Sequence, residues 1–104
     1  MSKFCQLWLT CNDTVEADTV AQSLLDKHLI SCAKQLPVEA NYWWEGKKEH
    51  TNEVLLVMES REDLFETIET EIAKLHSYET FVLEAIPLLR ISKKAQEWLN
   101  RELA

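Results

Sequence analysis

Two stretches of the chain are apolar on both faces, and they constrain the fold more than any other feature. Residues 4–11, FCQLWLTC, and residues 54–58, VLLVM, carry mainly hydrophobic side chains at odd and at even positions. Successive side chains of a strand point to opposite faces, so both stretches are predicted to be strands buried on both sides, in the middle of a sheet. The other two predicted strands contain Pro37 and Pro87, which cannot donate to a sheet ladder and therefore favour edge positions.

Helical periodicity occupies the segments between these strands. Residues 13–16, DTVE, resemble a capping box in which Asp13 accepts from the backbone and Glu16 reaches back, opening a helix that ends near residue 27 or 28. A second capping signature at residues 60–63 opens a helix that ends near His76. Ser92 is predicted to cap a short third helix.

The predicted order of elements is β-α-β-β-α-β-α, with the second strand from residue 31 or 32 to 44, the third over 52–59 and the fourth over 80–89. Its first six elements match the ferredoxin-like βαββαβ sandwich, whose strand order 4-1-3-2 places the first and third strands centrally. The predicted fold class is therefore α+β, ferredoxin-like, with an additional C-terminal helix. A chain of this length supports one core, so we expect a single domain over residues 1–104.

The second and third strands form a long predicted hairpin. Gly46, the only glycine of the chain, is expected to have a positive φ in its turn. About 13 residues of extended chain reach roughly 40 Å, so the hairpin is expected to overhang a domain with a radius of gyration near ~13 Å. The overhanging edge and the second apolar face of the sheet both need a cover. We therefore predict an obligate homo-oligomer in which the second strand continues into a neighbouring subunit.

Composition excludes several classes of function. The formal net charge of −7 disfavours nucleic acid and anionic membrane as partners, because both are bound through clustered Lys and Arg. A single glycine excludes the known phosphate-binding loops. We recognise neither a signal-peptide core nor a membrane-spanning run, so a cytosolic location is expected. Three cysteines without Cys-x-x-Cys spacing indicate free thiols rather than a disulfide framework or a zinc knuckle.

His76 is the most interesting of the residues with metal-binding or catalytic side chains. His28 and His50 are expected on the surface, and Cys5 and Cys11 are expected to be core thiols. His76 stands at a helix-to-strand junction, where it either caps the helix or contributes to function. No two histidines have the spacing of metal ligands on one element, so any metal site has to be assembled by folding.

The polar and aromatic residues of the hairpin are assigned to its surface. Its glutamates are expected to form a solvated edge, and they are Glu45, Glu49, Glu53 and Glu59. Its aromatic cluster, Tyr42, Trp43 and Trp44, has two interpretations: a platform for stacking a ligand, or anchors of a subunit interface. The exposed edge and the enrichment of aromatic residues at interfaces favour the second interpretation.

Several short motifs together resemble the CutA family of divalent-cation tolerance proteins, over about residues 7–99. The most specific is NYWWEGK at residues 41–47. The other matching motifs are LTC at 9–11 followed by Asp13, LISCA at 29–33, EVLLV at 53–57, HSYE at 76–79 and WL at 98–99. The predicted order of elements is also that of the family.

The resemblance implies a non-enzymatic homotrimer linked to tolerance of copper or other divalent metal ions. The exposed edge of the hairpin predicts that this trimer assembles through the hairpin edges. No cofactor is implied as obligatory. If the metal association transfers, the implied ligands are His76 first, with Cys32 and Glu79 behind it.

The resemblance also implies an alternative function. Similarity to the trimeric nitrogen-regulatory signalling proteins suggests a scaffold or small-ligand sensor with clefts between subunits. Those clefts are expected near four aromatic residues, Tyr42, Trp44, Tyr78 and Trp98.

The chain departs from the family pattern at several positions. Ser77 replaces the proline after the family's histidine, residues 81–82 (FV) replace a Pro-Glu pair, and residues 59–60 (ES) replace Lys-Thr at the end of the third strand. A thiol proposed as a copper ligand in some members falls at Leu9 here. The resemblance therefore leaves open whether this chain shares the family's metal site.

Overall fold

The computed structural model describes residues 3–104 and contains a four-stranded antiparallel sheet. Its elements in chain order are β1 (Phe4–Cys11), α1 (Thr14–Asp26), β2 (Cys32–Trp44), β3 (Lys47–Arg61), α2 (Phe65–Ala73), β4 (Leu83–Pro87) and α3 (Lys93–Glu102), with a 3-10 turn (Glu62–Leu64) leading into α2. The strand order is β2-β3-β1-β4. The predicted ferredoxin-like α+β fold is confirmed, with both prolines in the edge strands.

The core lies between one face of the sheet and the helices α1 and α2. Antiparallel pairing aligns Leu7 of β1 with Met58 of β3 and with Ala85 of β4, so alternate residues of the strands share one face. The buried side chains on that face meet those of the helices, and the largest are Leu7, Leu9, Leu56, Met58, Leu24, Ile68 and Ile72. This single cluster supplies the core that the sequence pattern predicts.

The opposite face of the sheet is only partly covered in a single copy of the chain. Trp8 of β1 is 37% exposed, Leu36 of β2 is 44% exposed and Ile86 of β4 is 38% exposed. Leu55 and Val57 of β3 are half-buried on the same face. The central strands are therefore fully buried on their helix side alone, and the predicted need for a second cover stands.

The hairpin of β2 and β3 is the longest feature of the molecule, which measures 45 × 26 × 22 Å along its principal axes. β3 begins at Lys47, five residues before the predicted start, so the strands pair up to the turn. Both turn residues have positive φ, 50° at Glu45 and 78° at Gly46, which is the turn geometry typical of a tight hairpin. The prediction for Gly46 is confirmed.

The predicted helix caps have mixed outcomes. Asp13 caps α1 as predicted, since its Oδ1 accepts from the backbone N–H of Glu16 at 2.9 Å. The cap predicted at Ser60 is wrong, because Arg61 and not Ser60 precedes the 3-10 turn. Ser92 does occupy the N-cap position of α3, as predicted, but its side chain makes no capping hydrogen bond. Ser60 is instead buried on the core face, where its hydroxyl donates to the carbonyl oxygen of Leu29 at 2.6 Å.

Within residues 3–104, no helix has the length and apolar character needed to cross a membrane.

Candidate functional site

His76 lies just after α2, and its imidazole is completely buried. Its Nδ1 is 3.0 Å from the backbone N–H of Tyr78, and its Nε2 is 2.9 Å from the carbonyl oxygen of Thr10. Because the Tyr78 amide can only donate, Nδ1 accepts and Nε2 carries the proton that is donated to Thr10. The side chain therefore does not cap α2. It ties the loop after α2 to the end of β1.

The imidazole is also enclosed by aromatic rings. Its centroid lies 4.6 Å from that of Tyr78 and 5.4 Å from that of Phe81, with the Phe81 ring nearly parallel to it. Phe81 is one of the positions at which the chain departs from the family pattern. It replaces the proline of the Pro-Glu pair, so this departure adds an apolar ring beside His76.

Three potential metal ligands converge at this position: Cys11 at the end of β1, Glu16 in the first turn of α1, and His76. One ligand atom of each lies within 4.8 Å of the others, and the Glu16 Oε1 is 3.6 Å from the His76 Nδ1. We call these three residues the Cys-Glu-His cluster. Zinc binds sulfur, carboxylate and imidazole ligands at metal–ligand distances of about 2.0–2.3 Å. Two ligand atoms bound to the same zinc ion are therefore roughly 3.5 Å apart. The three side chains fit a metal of this kind after shifts on the order of 1 Å.

The cluster is already held by hydrogen bonds from the backbone. The Glu16 carboxylate accepts from the N–H of Asn12 at 2.9 Å and from the N–H of Ser77 at 2.7 Å. Burial alone would raise the pKa of Glu16, but these hydrogen bonds outweigh it and lower that pKa below its usual value. The carboxylate is therefore ionised at neutral pH.

The Cys11 thiol is buried and stays protonated at neutral pH. Burial, followed by the charges of Glu16, Asp13 and Glu53, raises the pKa of Cys11 to about 12. A metal ion needs the thiolate, so binding through Cys11 would release a proton.

Cys32 lies elsewhere on the sheet. Its Sγ donates to the Glu59 carboxylate at 2.6 Å, and burial followed by this hydrogen bond raises the pKa of Cys32 to about 11. Glu59 pairs with Gln6 of β1, four residues before the Thr10 that contacts His76, which separates the two positions by roughly 13 Å along the strand. The structure does not bring Cys32 and His76 together within one chain.

A pocket of about 670 Å³ opens where the hairpin meets the loop after α2. We call it the aromatic pocket, and its lining includes Tyr42, Trp43, Trp44, Tyr78, Glu53 and Glu79. Three of the four predicted cleft residues therefore meet in one place, and the predicted ligand Glu79 lies in the same wall. The fourth, Trp98, lies half-buried on α3 and does not line this pocket.

Glu53 is the unexpected member of this pocket. It is only 7% exposed, so the predicted solvated edge does not include it. Its two oxygens accept from the hydroxyls of Tyr78 at 3.0 Å and Thr51 at 2.6 Å. In the part of the chain that the structure describes, no Lys, Arg or His pairs with this carboxylate. Burial, followed by the hydrogen bond to Glu53, raises the pKa of Tyr78 above its usual value, so the phenol remains a donor.

Tyr78 joins the two candidate sites, because its backbone N–H donates a hydrogen bond to His76 and its hydroxyl donates one to Glu53. Sequence reasoning found His76 and Tyr78 but missed Cys11, Glu16 and Glu53 as site residues. The one available signal was that Cys11 and Glu16 flank the break between β1 and α1, at the end of a central strand where functional loops tend to lie.

Known proteins resemble the chain along nearly its whole length. Residues 5–102 match the family model described as CutA1 divalent ion tolerance protein. The divalent-cation tolerance protein CutA of Archaeoglobus fulgidus is 32% identical over 94 residues, which cover 90% of this chain and 92% of that protein. Its counterpart in Pyrococcus horikoshii is 34% identical over 96 residues, which cover 92% of this chain and 94% of that protein.

Solved structures give the same result. The periplasmic divalent cation tolerance protein CutA from Archaeoglobus fulgidus has a TM-score of 0.94 at 30% identity, covering 97% of this chain and 99% of that one. CutA1 from Oryza sativa also has a TM-score of 0.94, at 26% identity, and the match covers 98% of this chain and 94% of that one. The resemblance in the sequence motifs is thereby confirmed, and the chain belongs to the CutA1 divalent ion tolerance protein family.

Proposed function

We propose that this chain is a non-enzymatic, cytoplasmic homotrimer of the divalent-cation tolerance type, which binds a divalent metal ion at the Cys-Glu-His cluster. The observation that carries the proposal is the convergence of sulfur, carboxylate and imidazole ligand atoms within 4.8 Å. Such a mixed set suits zinc or copper better than magnesium or calcium, which prefer oxygen ligands alone. The names of the relatives, which refer to tolerance of divalent cations, point to the same class of ion.

Each residue of the cluster has a distinct role in the proposed site. His76 would bind the ion through Nδ1, whose lone pair now accepts a hydrogen bond from the Tyr78 amide. Glu16 would supply charge, and Cys11 would bind as a thiolate after losing its proton. Affinity is therefore expected to rise with pH, because the Cys11 proton competes with the metal. Cys32 and Glu79 lie outside the cluster in one chain and would reach an ion only at another site.

Two surfaces that a single copy leaves uncovered support the proposed homotrimer. These are the sheet face that carries Trp8, Leu36 and Ile86, and the edge strand β2 with its long hairpin. Apolar residues exposed on a sheet face and an unpaired edge both favour association with further copies. Sedimentation at micromolar concentration is expected to give a trimer, and a stable monomer would contradict this part of the proposal.

Calorimetric titration with Zn²⁺ tests the metal site, because zinc does not oxidise thiols; Cu²⁺ follows as a second probe. We expect one ion per chain and affinity reduced at least ~tenfold in Cys11→Ser and in His76→Ala. Cys5→Ser is the matched control, since Cys5 is also a buried thiol on the same face of β1. Burial, followed by the charges of Glu62 and Asp63, raises the pKa of Cys5 to about 11. Equal, micromolar or weaker binding by all variants would remove the specific site.

The aromatic pocket favours a second candidate function, a scaffold or sensor that binds a small ligand. Its volume of about 670 Å³ lies in the range typical of small-molecule sites. Under this function, members of a metabolite panel would raise the melting temperature of the wild type and lose that effect in Trp44→Ala. A panel without any stabilising compound would argue against it.

A further inference from the structure

We propose that the aromatic pocket binds a small organic cation of the alkylammonium class, with the Glu53 carboxylate as its counter-ion. This inference deepens the second candidate function and rests on it. It does not depend on a metal ion at the Cys-Glu-His cluster.

Glu53 is the first feature of the pocket that favours a cation. A carboxylate that is 7% exposed has lost most of its hydration, and burying such a charge is costly unless a cation pairs with it. Two hydroxyl donors, Tyr78 and Thr51, offset part of this cost but bring no positive charge. Across residues 3–104 the carboxylate has no basic partner, so a negative charge borders the pocket without compensation. Glu79 adds a second carboxylate to the wall.

The aromatic wall of the pocket also favours a cation. Tyr42, Trp43 and Trp44 remain 40%, 70% and 44% exposed, so their rings are accessible in the single chain. Aromatic faces attract cations, and they also accommodate the apolar carbons of an alkylammonium group. Zinc or copper would find no nitrogen or sulfur ligand among the lining residues, and a hydrated magnesium or calcium ion would leave the apolar surface of the rings without a partner. An anion would be repelled, and a neutral ligand would leave Glu53 uncompensated. The organic cation is the class that satisfies both features.

The Glu53 carboxylate is held in place before any ligand arrives. The Tyr78 hydroxyl fixes one oxygen of Glu53, while the Tyr78 backbone is itself fixed by His76. Each carboxylate oxygen has two lone pairs and uses one, so each keeps an acceptor for a ligand. A site whose charged group is already positioned loses little entropy on binding.

One other occupant is possible in an oligomer, a Lys or Arg side chain of a second copy. It would satisfy Glu53 in the same way, because it is also an organic cation beside aromatic rings. The difference is that a second copy would fill the pocket permanently and exclude a free ligand. Choline binding by the wild-type chain separates the two occupants.

The test uses the intact wild-type chain and two probes of equal shape. Choline carries a quaternary nitrogen, and its tert-butyl isostere has carbon in that place and no charge. Calorimetry and tryptophan fluorescence are expected to show choline binding at least ~tenfold more tightly than the isostere. Tetramethylammonium is expected to compete with choline, whereas sodium at the same ionic strength is not. This comparison needs no variant and is unaffected by any folding defect.

Glu53→Gln then tests the counter-ion, with Glu59→Gln as the matched control on the same strand and the same face. We expect choline affinity to fall at least ~tenfold in Glu53→Gln and to stay within about twofold of wild type in Glu59→Gln. Equal affinity for choline and its isostere would overturn the proposal, since the pocket would then be merely apolar.

Two further outcomes would also overturn it. If wild type does not bind choline and Glu53→Gln weakens the oligomer, the occupant is a basic side chain of a second copy. If other compounds of the metabolite panel bind in the pocket while choline and tetramethylammonium do not, the proposed class of ligand is wrong and the second candidate function survives.

Discussion

The Cys-Glu-His cluster and the aromatic pocket share Tyr78 but differ in how their charged groups are satisfied. In the cluster, both nitrogens of His76 are hydrogen-bonded, and the Glu16 carboxylate accepts from two backbone amides. In the pocket, Glu53 is more deeply buried and accepts only from hydroxyls. The cluster therefore stabilises the fold as it stands, whereas the pocket retains a charge that a ligand can neutralise.

This difference changes what binding requires at each site. A metal ion at the cluster has to displace the Tyr78 amide from His76 and a proton from Cys11. A cation in the pocket adds an interaction without breaking one. Substitutions in the cluster should therefore mainly lower the free energy of unfolding. Substitutions in the pocket should mainly lower the affinity for a ligand. Four substitutions test this contrast, in decreasing order of their expected effect on unfolding.

His76→Ala is expected to destabilise the chain most, by about 2–4 kcal/mol. It leaves a cavity in a fully buried position and removes the partners of the Thr10 carbonyl and the Tyr78 amide. Urea unfolding measures the loss, with His50→Ala at an exposed position as a control expected within ~0.5 kcal/mol of wild type. A loss below ~1 kcal/mol would show that the junction does not hold the fold.

Glu16→Gln is expected to cost about 1–3 kcal/mol at neutral pH, because a charged acceptor of two backbone N–H groups becomes neutral. The lowered pKa of Glu16 also has a consequence for pH dependence. A carboxyl whose folded-state pKa is lowered contributes stability above its unfolded pKa, near ~4.3, and loses it as pH falls through the folded-state pKa.

Unfolding of wild type and Glu16→Gln between neutral and acid pH measures this effect. The difference between them is expected to shrink as the pH falls below ~4.3. A difference that stays constant across that range would show that the Glu16 charge is not what stabilises the junction.

Tyr78→Phe separates the two regions, because it removes the hydroxyl that donates to Glu53 and keeps the backbone N–H that donates to His76. We expect a loss of about 1 kcal/mol in unfolding and weaker choline binding. Zn²⁺ affinity in calorimetry is expected to stay within about twofold of wild type. A large loss of zinc binding would mean that the sites are coupled through the Tyr78 ring and are not independent.

Glu53→Gln is expected to change the free energy of unfolding least, by under ~1 kcal/mol in either direction. The amide keeps an oxygen that accepts a hydrogen bond and removes the cost of a buried, unpaired charge. Comparison with Glu16→Gln by the same urea unfolding makes the contrast direct, since the chemical change is identical. A loss above ~2 kcal/mol would place Glu53 among the residues that hold the fold.

The strand order could be predicted because it depends on residue types along each strand. Two-sided apolar runs mark β1 and β3 as central, and Pro37 and Pro87 mark β2 and β4 as edges. The cap predicted at Ser60 failed because tertiary packing intervened: the side chain is buried and bonds to a carbonyl 31 residues away in sequence. Local pattern alone cannot anticipate such a partner.

The candidate site was less predictable for the same reason. His76 was found from its loop position and from the family motif, but its contacts lie in β1 and α1, up to 66 residues away. Cys11 was correctly predicted to be buried, yet its nearness to Glu16 and His76 depends on where α2 ends relative to β1. Glu53 was assigned to the solvated edge because it lies along the hairpin with Glu45, Glu49 and Glu59. It is buried instead, and its partner Tyr78 lies 25 residues away in sequence.

The most direct measurement is anomalous diffraction at the zinc edge from crystals of the wild-type protein equilibrated with Zn²⁺. We expect an anomalous peak within bonding distance of the Cys11 Sγ, a Glu16 carboxylate oxygen and the His76 Nδ1, together with displacement of the Tyr78 amide from His76. Zinc found only at other positions, with the hydrogen bond between Tyr78 and His76 intact, would contradict the proposed metal site.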